Sequence, residues 1–103
     1  MKIVPAISGI PIRLTPERFE HIETRHPEME GQEARILETL SSPDYVQQGD
    51  AGTLMALKLY SKTPLTREFC AVVHREIDNE DGFVLTAYFA SKPSGWRRVV
   101  WKR

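Results

Sequence analysis

Residues 68–90 read EFCAVVHREIDNEDGFVLTAYFA, two apolar runs separated by a short polar segment. Within each run, residues 68–77 and 83–90, side chains alternate in the way that places them on opposite faces of a β-strand. The polar segment between the runs ends in Gly82, which predicts a hairpin with one of the longer loops. The stretch therefore predicts two long antiparallel strands.

The second of these strands is expected to divide its side chains evenly between the two faces of the sheet. The core-facing set would be Phe83, Leu85, Ala87 and Phe89. The opposite set would be Val84, Thr86 and Tyr88. The opposite set is half polar, as is typical of a concave binding surface, but its hydroxyl groups fit a half-buried face with backbone partners equally well.

A helix is predicted earlier in the chain. Thr15 can cap it, Pro16 suits its first turn, and Glu17 suits the positive end of the helix dipole. The helix must end near His26, because Pro27 pushes the residue before it toward extended geometry.

The remaining elements complete an α+β domain. A second helix fits residues 32–40, where apolar residues recur with helical spacing. Further strands are expected at residues 45–48, 53–60 and 97–101, and weaker ones at residues 2–7 and 10–13. We therefore expect a single domain over residues 1–103, with two N-terminal helices packed on a twisted antiparallel sheet of four to five strands.

Composition limits the function without identifying it. The 103 residues have an ordinary hydrophobic fraction of 41% and one cysteine, Cys70, which excludes an internal disulfide. No apolar run is long enough to cross a membrane, and the N-terminal residues do not resemble a signal peptide. A cytoplasmic protein with no membrane partner is the expectation.

The net charge is zero, but the charges are unevenly distributed. Residues 82–103 contain five basic residues and no acidic one, interleaved with Trp96 and Trp101. Cations attract phosphates, and stacking on an aromatic ring is worth ~1–3 kcal/mol per base. This end therefore suggests RNA binding through Trp96, Arg97 and Arg98, although a solvated tail with its tryptophans packed on the core would look the same.

The first predicted helix holds the candidate catalytic groups. His21 and Arg25 are four residues apart and share a helix face, whereas His26 would lie about 140° from His21 unless the helix unwinds before Pro27. Two imidazoles and a guanidinium can supply an acid, a base and an anion clamp near neutral pH. A solvated helix face is the alternative interpretation. Tyr60, from an earlier strand, could join Thr86 and Tyr88.

Other chemistries find little support. The two histidines are five residues apart, whereas the H-E-x-x-H zinc motif needs four, so no metal site is predicted. No phosphate-binding glycine loop or dinucleotide fingerprint is present, so no cofactor is predicted. Cys70 fits an inert core position and His74 a surface position on a strand.

Four motifs in order carry a family resemblance. They are His21-x-x-x-Arg25-His26-Pro27-Glu28, Leu40-x-x-Pro43-Asp44-x-Val46, Tyr60, and Val84-Leu85-Thr86-Ala87-Tyr88. Together they resemble the small phage-associated nuclease domains of the barnase–EndoU–colicin–RelE group, the BECR fold, over roughly residues 13–90.

The resemblance implies a function as well as a fold. It implies metal-independent cleavage of RNA by attack of the 2′-OH, in a toxin of a toxin–antitoxin or phage-conflict system with an antitoxin protein as partner. The implied catalytic residues are His21, Arg25, His26, Thr86 and Tyr88. The alternative is a non-catalytic RNA- or protein-binding module with the same fold.

Overall fold

A computed structural model describes residues 1–64 and 68–103 and has an α+β fold. The helices are α1 (Pro16–Arg25) and α2 (Glu33–Ser41), and the strands are β1 (Lys2–Pro5), β2 (Pro11–Leu14), β3 (Tyr45–Gln48), β4 (Leu54–Leu59), β5 (Phe69–Asp78), β6 (Asp81–Ala90) and β7 (Val99–Lys102). Both predicted helices are confirmed. Thr15 caps α1 as expected, since its hydroxyl accepts a hydrogen bond from the Arg18 N–H. Among the described residues, no helix has the length and apolar character needed to span a membrane.

The sheet is larger than predicted and is mixed. Over the described residues it has seven strands in the order β1-β2-β6-β5-β4-β3-β7. The prediction of four to five strands was wrong because β1 and β2 form a true hairpin, and the prediction of a purely antiparallel sheet was wrong because β2 pairs with β6 in parallel. The two helices and three strands that separate β2 from β6 in the chain make this pairing hard to foresee.

The helices cover one face of the sheet, called the helix face below. Its core combines side chains of β2, α1, α2, β5 and β6, including Ile12, Ile22, Ile36, Val72 and Ala87, all fully buried. The opposite face, called the far face, carries a second apolar cluster of Met55, Leu57 and Ala71, with Tyr45, Phe69, Val73 and Tyr88 packed against it.

A β-bulge in β6 changes which residues face the helices. Val73 of β5 pairs with Thr86, but the next residue, His74, pairs with Val84, so Leu85 is an extra residue. A bulge of this kind breaks the strict alternation of a strand. Val84 is therefore buried in the helix-face core together with Ala87, and the predicted even alternation along this strand was wrong.

The β5–β6 connection is tight. Asp78 pairs with Asp81, which leaves a two-residue turn, Asn79–Glu80, where a longer loop was predicted. Gly82 lies inside β6 opposite Ile12, and a Cβ at Gly82 would be 2.6 Å from Ile12 Cδ1. The glycine thus serves the close approach of β2 to β6 rather than the turn.

Residues 91–98 link β6 to β7, which are separated in the sheet by three other strands. The buried side chain of Gln47 holds this connection in the middle, donating to the Ser94 carbonyl at 2.7 Å and accepting from the Ser94 N–H at 3.2 Å. These two hydrogen bonds hold the backbone at Ser94, just before Trp96 and Arg97.

Candidate active site on the far face

His26 leaves the helix as the sequence predicts. Its φ of −132° and ψ of 82° are not helical, while its N–H still bonds the Ile22 carbonyl at 2.8 Å. The ring packs against the ring of Tyr88, with the centroids 5.7 Å apart and the planes tilted by 36°. The end of α1 therefore places the His26 imidazole against the Tyr88 phenol on the far face.

An opening at the edge of β6 makes this contact possible. In the described part of the chain, the ladder between β2 and β6 includes only Gly82 and Phe83 on the β6 side, and no described strand lies beside the later part of β6 at this edge. The single turn Pro27–Met29 packs against β6 instead. His26 can consequently reach around the edge toward Tyr88.

Arg97 brings a positive charge to Tyr88. Burial raises the pKa of the Tyr88 phenol, and the charge of Arg97 acts against that rise. The phenol is therefore protonated at neutral pH, and the positive charge of Arg97 favours its ionised form. Thr86 lies two residues before Tyr88 on the same face of the strand.

The Arg97 side chain is held by the carboxylate of Asp50 and by the ring of Trp96. Its Nη1 lies 3.0 Å from Asp50 Oδ1, and its guanidinium stacks over the Trp96 ring at 4.2 Å from the centroid. The hydrogen bond and charge of Arg97 lower the pKa of Asp50. Asp50 precedes Ala51, which has the left-handed φ of 53°. Such a φ is uncommon for a residue other than glycine, so the loop adopts a costly conformation beside the cluster.

His21 lies outside this group of side chains. The exposed His21 opens onto two shallow depressions lined by other residues of α1 and its cap: Thr15, Glu17, Arg18, Glu20 and Thr24. Arg25 is exposed at the last position of α1. The structure therefore assembles His26 with Tyr88 but leaves His21 on another surface of the helix.

Tyr60 lies on the helix face, so the expectation that it joins Thr86 and Tyr88 was wrong. Its hydroxyl donates to Glu38 of α2, and the Arg35 guanidinium lies 4.6 Å from its ring centroid. Burial is the main cause of the strongly raised pKa of Tyr60. Tyr60 thus helps to attach α2 to the sheet.

Of the remaining predicted binding residues, Trp96 is 77% exposed and Arg98 is exposed as well. The Arg98 carbonyl accepts a hydrogen bond from the Gln48 N–H at 2.8 Å, which ties the backbone of Arg98 to β3.

The sequence did not single out Glu28 or Asp50 as functional residues, and the position predicted for His74 was wrong. Glu28 Oε2 lies 3.9 Å from His26 Nδ1, a contact that the short spacing of the two residues could have suggested. Asp50 had no local signal, because only the crossing of residues 91–98 brings Arg97 to it. His74, predicted at the surface, is 2% exposed on the helix face.

The described residues contain no group of three or more His, Cys, Asp or Glu side chains arranged to hold a metal ion. Comparison of the chain with protein-family models, with curated proteins and with solved structures gave no match.

Proposed function

We propose that this protein is a metal-independent endoribonuclease, and that its active site is the far-face cluster of His26, Thr86, Tyr88 and Arg97. The observation that carries the proposal is the ring contact between His26 and Tyr88 within the field of Arg97. The imidazole would act as the base, the protonated phenol would act as the acid, and the guanidinium would bind the phosphate.

The cluster supports one balanced reaction. Neutral His26 takes the proton of the 2′-OH, the 2′-oxygen forms a bond to phosphorus, and the bond from phosphorus to the 5′-oxygen breaks. Tyr88 gives its proton to the departing 5′-oxygen, and solvent then returns a proton from His26 to Tyr88. The products are a 2′,3′-cyclic phosphate and a 5′-hydroxyl.

Arg97 and Thr86 would stabilise the extra negative charge on the phosphate as it becomes five-coordinate. A guanidinium binds phosphate oxygens through two parallel N–H donors, and each well-placed donor is worth ~10²–10³-fold in rate. Glu28, near His26 Nδ1, is suited to orient the imidazole so that Nε2 is the basic atom.

Trp96 supports a second candidate function, a non-catalytic RNA-binding module. A tryptophan that is 77% exposed offers a stacking surface for a base, and Arg97 beneath it supplies a phosphate contact. Both functions would use the same surface, and they differ in whether the RNA is cut.

In its biological setting the proposed enzyme would be the toxin of a toxin–antitoxin or phage-conflict system. An antitoxin would then cover the far face and exclude RNA from it. Expression that slows growth, with relief by a His26→Ala variant, is the result this setting requires.

Cleavage in EDTA is the test of the proposed function. Purified protein is incubated with end-labelled RNA in excess EDTA, and we expect fragments ending in 2′,3′-cyclic phosphate. DNA of the same sequence should stay intact, because it lacks the attacking 2′-OH. Binding without cleavage would favour the binding module, and activity lost in EDTA would favour a metal-dependent hydrolase.

Replacing Asp50 by Asn is expected to tighten RNA binding and to increase its salt dependence. In the native protein RNA must displace the Asp50 carboxylate from Arg97, whereas in the variant it displaces only counterions. One more counterion released on a single strand adds roughly 0.7 to the magnitude of the log–log salt slope.

Binding titrations at several salt concentrations measure this slope. Glu33→Gln, an equal change of charge on α2, is the matched control and should leave the slope unchanged. An unaltered slope for the Asp50 variant would show that RNA does not compete for Arg97.

A further inference from the structure

A cavity of about 160 Å³ lies on the helix face, between the β1–β2 hairpin and the strands beyond it. Its walls are mainly apolar, with side chains from α2 and from three strands: Leu40, Val46, Leu54 and Trp101. An apolar cavity of similar size engineered into another protein binds benzene, so this one has room for an aromatic ring.

One end of the cavity is polar and carries a negative charge. Glu76 Oε2 accepts a hydrogen bond from Ser8 Oγ at 2.9 Å and lies 3.6 Å from His74 Nε2. Both contacts fall on the same oxygen, so Oε1 has no hydrogen bond from the part of the chain that the structure describes. Among the cavity-lining residues, Glu76 is the only acidic one, and there is no Lys or Arg.

His74 does not cancel that charge. Its side chain is 2% exposed, and burial lowers its pKa despite the opposing effects of Glu76 and of the Val72 carbonyl. Its Nδ1 is buried with no hydrogen-bond partner in the described residues.

We infer that this cavity is a binding site for a small organic cation, a primary amine on an aromatic body of about eight non-hydrogen atoms. The ammonium group would bond the free oxygen of Glu76 and the Ser8 hydroxyl. The ring would fill the space between Leu54 and Trp101. A neutral molecule of the same shape would lose the charge-assisted hydrogen bond, and an anion would be repelled.

The site is independent of the proposed ribonuclease site. Leu54 and His74 are paired residues of β4 and β5 on the helix face, whereas Thr86 and Tyr88 lie on the far face. A failure of RNA cleavage therefore says nothing about the cavity, and the converse also holds.

Titration with benzylamine, followed by NMR of the ¹⁵N-labelled protein, tests the inference. We expect saturable shifts at the Ser8 and Glu76 amides and at the Trp101 indole, and binding at least tenfold tighter than that of benzyl alcohol. Glu76→Gln should remove the preference for the amine. Glu80→Gln, at the β5–β6 turn, is the matched control and should keep it.

Equal binding of amine and alcohol, shifts elsewhere on the protein, or no saturation would each overturn the inference. If Glu76→Gln fails to fold, the comparison of benzylamine, benzyl alcohol and benzoate on the native protein still decides the matter.

Discussion

Replacing His26 by Ala should lower the rate of RNA cleavage by ~10²–10⁴-fold, the usual contribution of a general base. The imidazole is the group that contacts Tyr88 at the open edge of β6, and in the proposed reaction Ala would leave the 2′-OH with only water to accept its proton. Single-turnover cleavage of a short labelled RNA measures the loss without interference from product release. Because the His26 side chain is part of no buried core cluster, the variant should fold and unfold like the native protein, which circular dichroism and thermal unfolding would verify.

Tyr88→Phe tests whether Tyr88 is the acid of the proposed reaction. The variant keeps the ring contact but loses the proton donor, so cleavage of ordinary RNA should fall by a similar factor. On a ribonucleoside 3′-aryl phosphate, whose leaving group needs no proton, Tyr88→Phe should recover most of its rate while His26→Ala stays slow. Equal losses of the Phe variant on both substrates would contradict the assignment of Tyr88 as the acid.

His21→Ala separates the two possible acid–base pairs. The sequence suggests His21 and His26 as the pair, whereas the ring contact between His26 and Tyr88 is the basis for proposing those two. If His21→Ala is as inactive as His26→Ala, the first pair is correct, and the depressions beside His21 become part of the active site.

Part of this cluster could be predicted because it depends on local rules. Pro27 ends α1 and releases His26 from helical geometry, whatever the rest of the chain does. The spacing of Thr86 and Tyr88 puts both on one face of a strand, and both lie after the bulge at Leu85, so the bulge does not change their relation.

The rest of the cluster depends on contacts between distant residues. The charge of Arg97 acts on Tyr88 only because residues 91–98 cross the sheet from β6 to β7, past the three strands between them. His26 reaches Tyr88 only because β2 pairs with a short part of β6. Neither fact leaves a periodic pattern in the sequence.

The fold shows the same difference between features set by local signals and features set by contacts between distant residues. Capping and apolar spacing predicted α1 and α2 to within about one residue, since these signals act within a few residues. The parallel pairing of Ile12 with Gly82 joins residues 70 positions apart, so the sequence pattern placed β2 only as a short, isolated strand.

Acid should destabilise the protein through the buried His74. The alternation of side chains along β5 could predict which face of the sheet His74 lies on, but not that it is buried there. Its pKa in the folded state is lowered from the ordinary 6.5, with burial as the main cause. The unfolded chain therefore binds a proton at a higher pH than the folded protein. The contribution of neutral His74 to the free energy of unfolding is fully present above about pH 6.5. It is lost as the pH falls below that value, by up to ~1.4 kcal/mol per pH unit.

Urea unfolding at pH 7.5, 6.5, 5.5 and 5.0 measures this slope, and His74→Gln should flatten it. The lowered pKa values of Asp44 and Asp50 act only near and below their ordinary 3.8, so they do not contribute in this range. Glu76→Gln gives a further distinction: it removes the carboxylate that raises the pKa of His74, so the folded-state pKa should fall further and the loss of stability should continue to lower pH. If His74→Gln keeps the native slope, another group takes up the proton, and His74 is either protonated in the folded protein or hydrated through the cavity beside it.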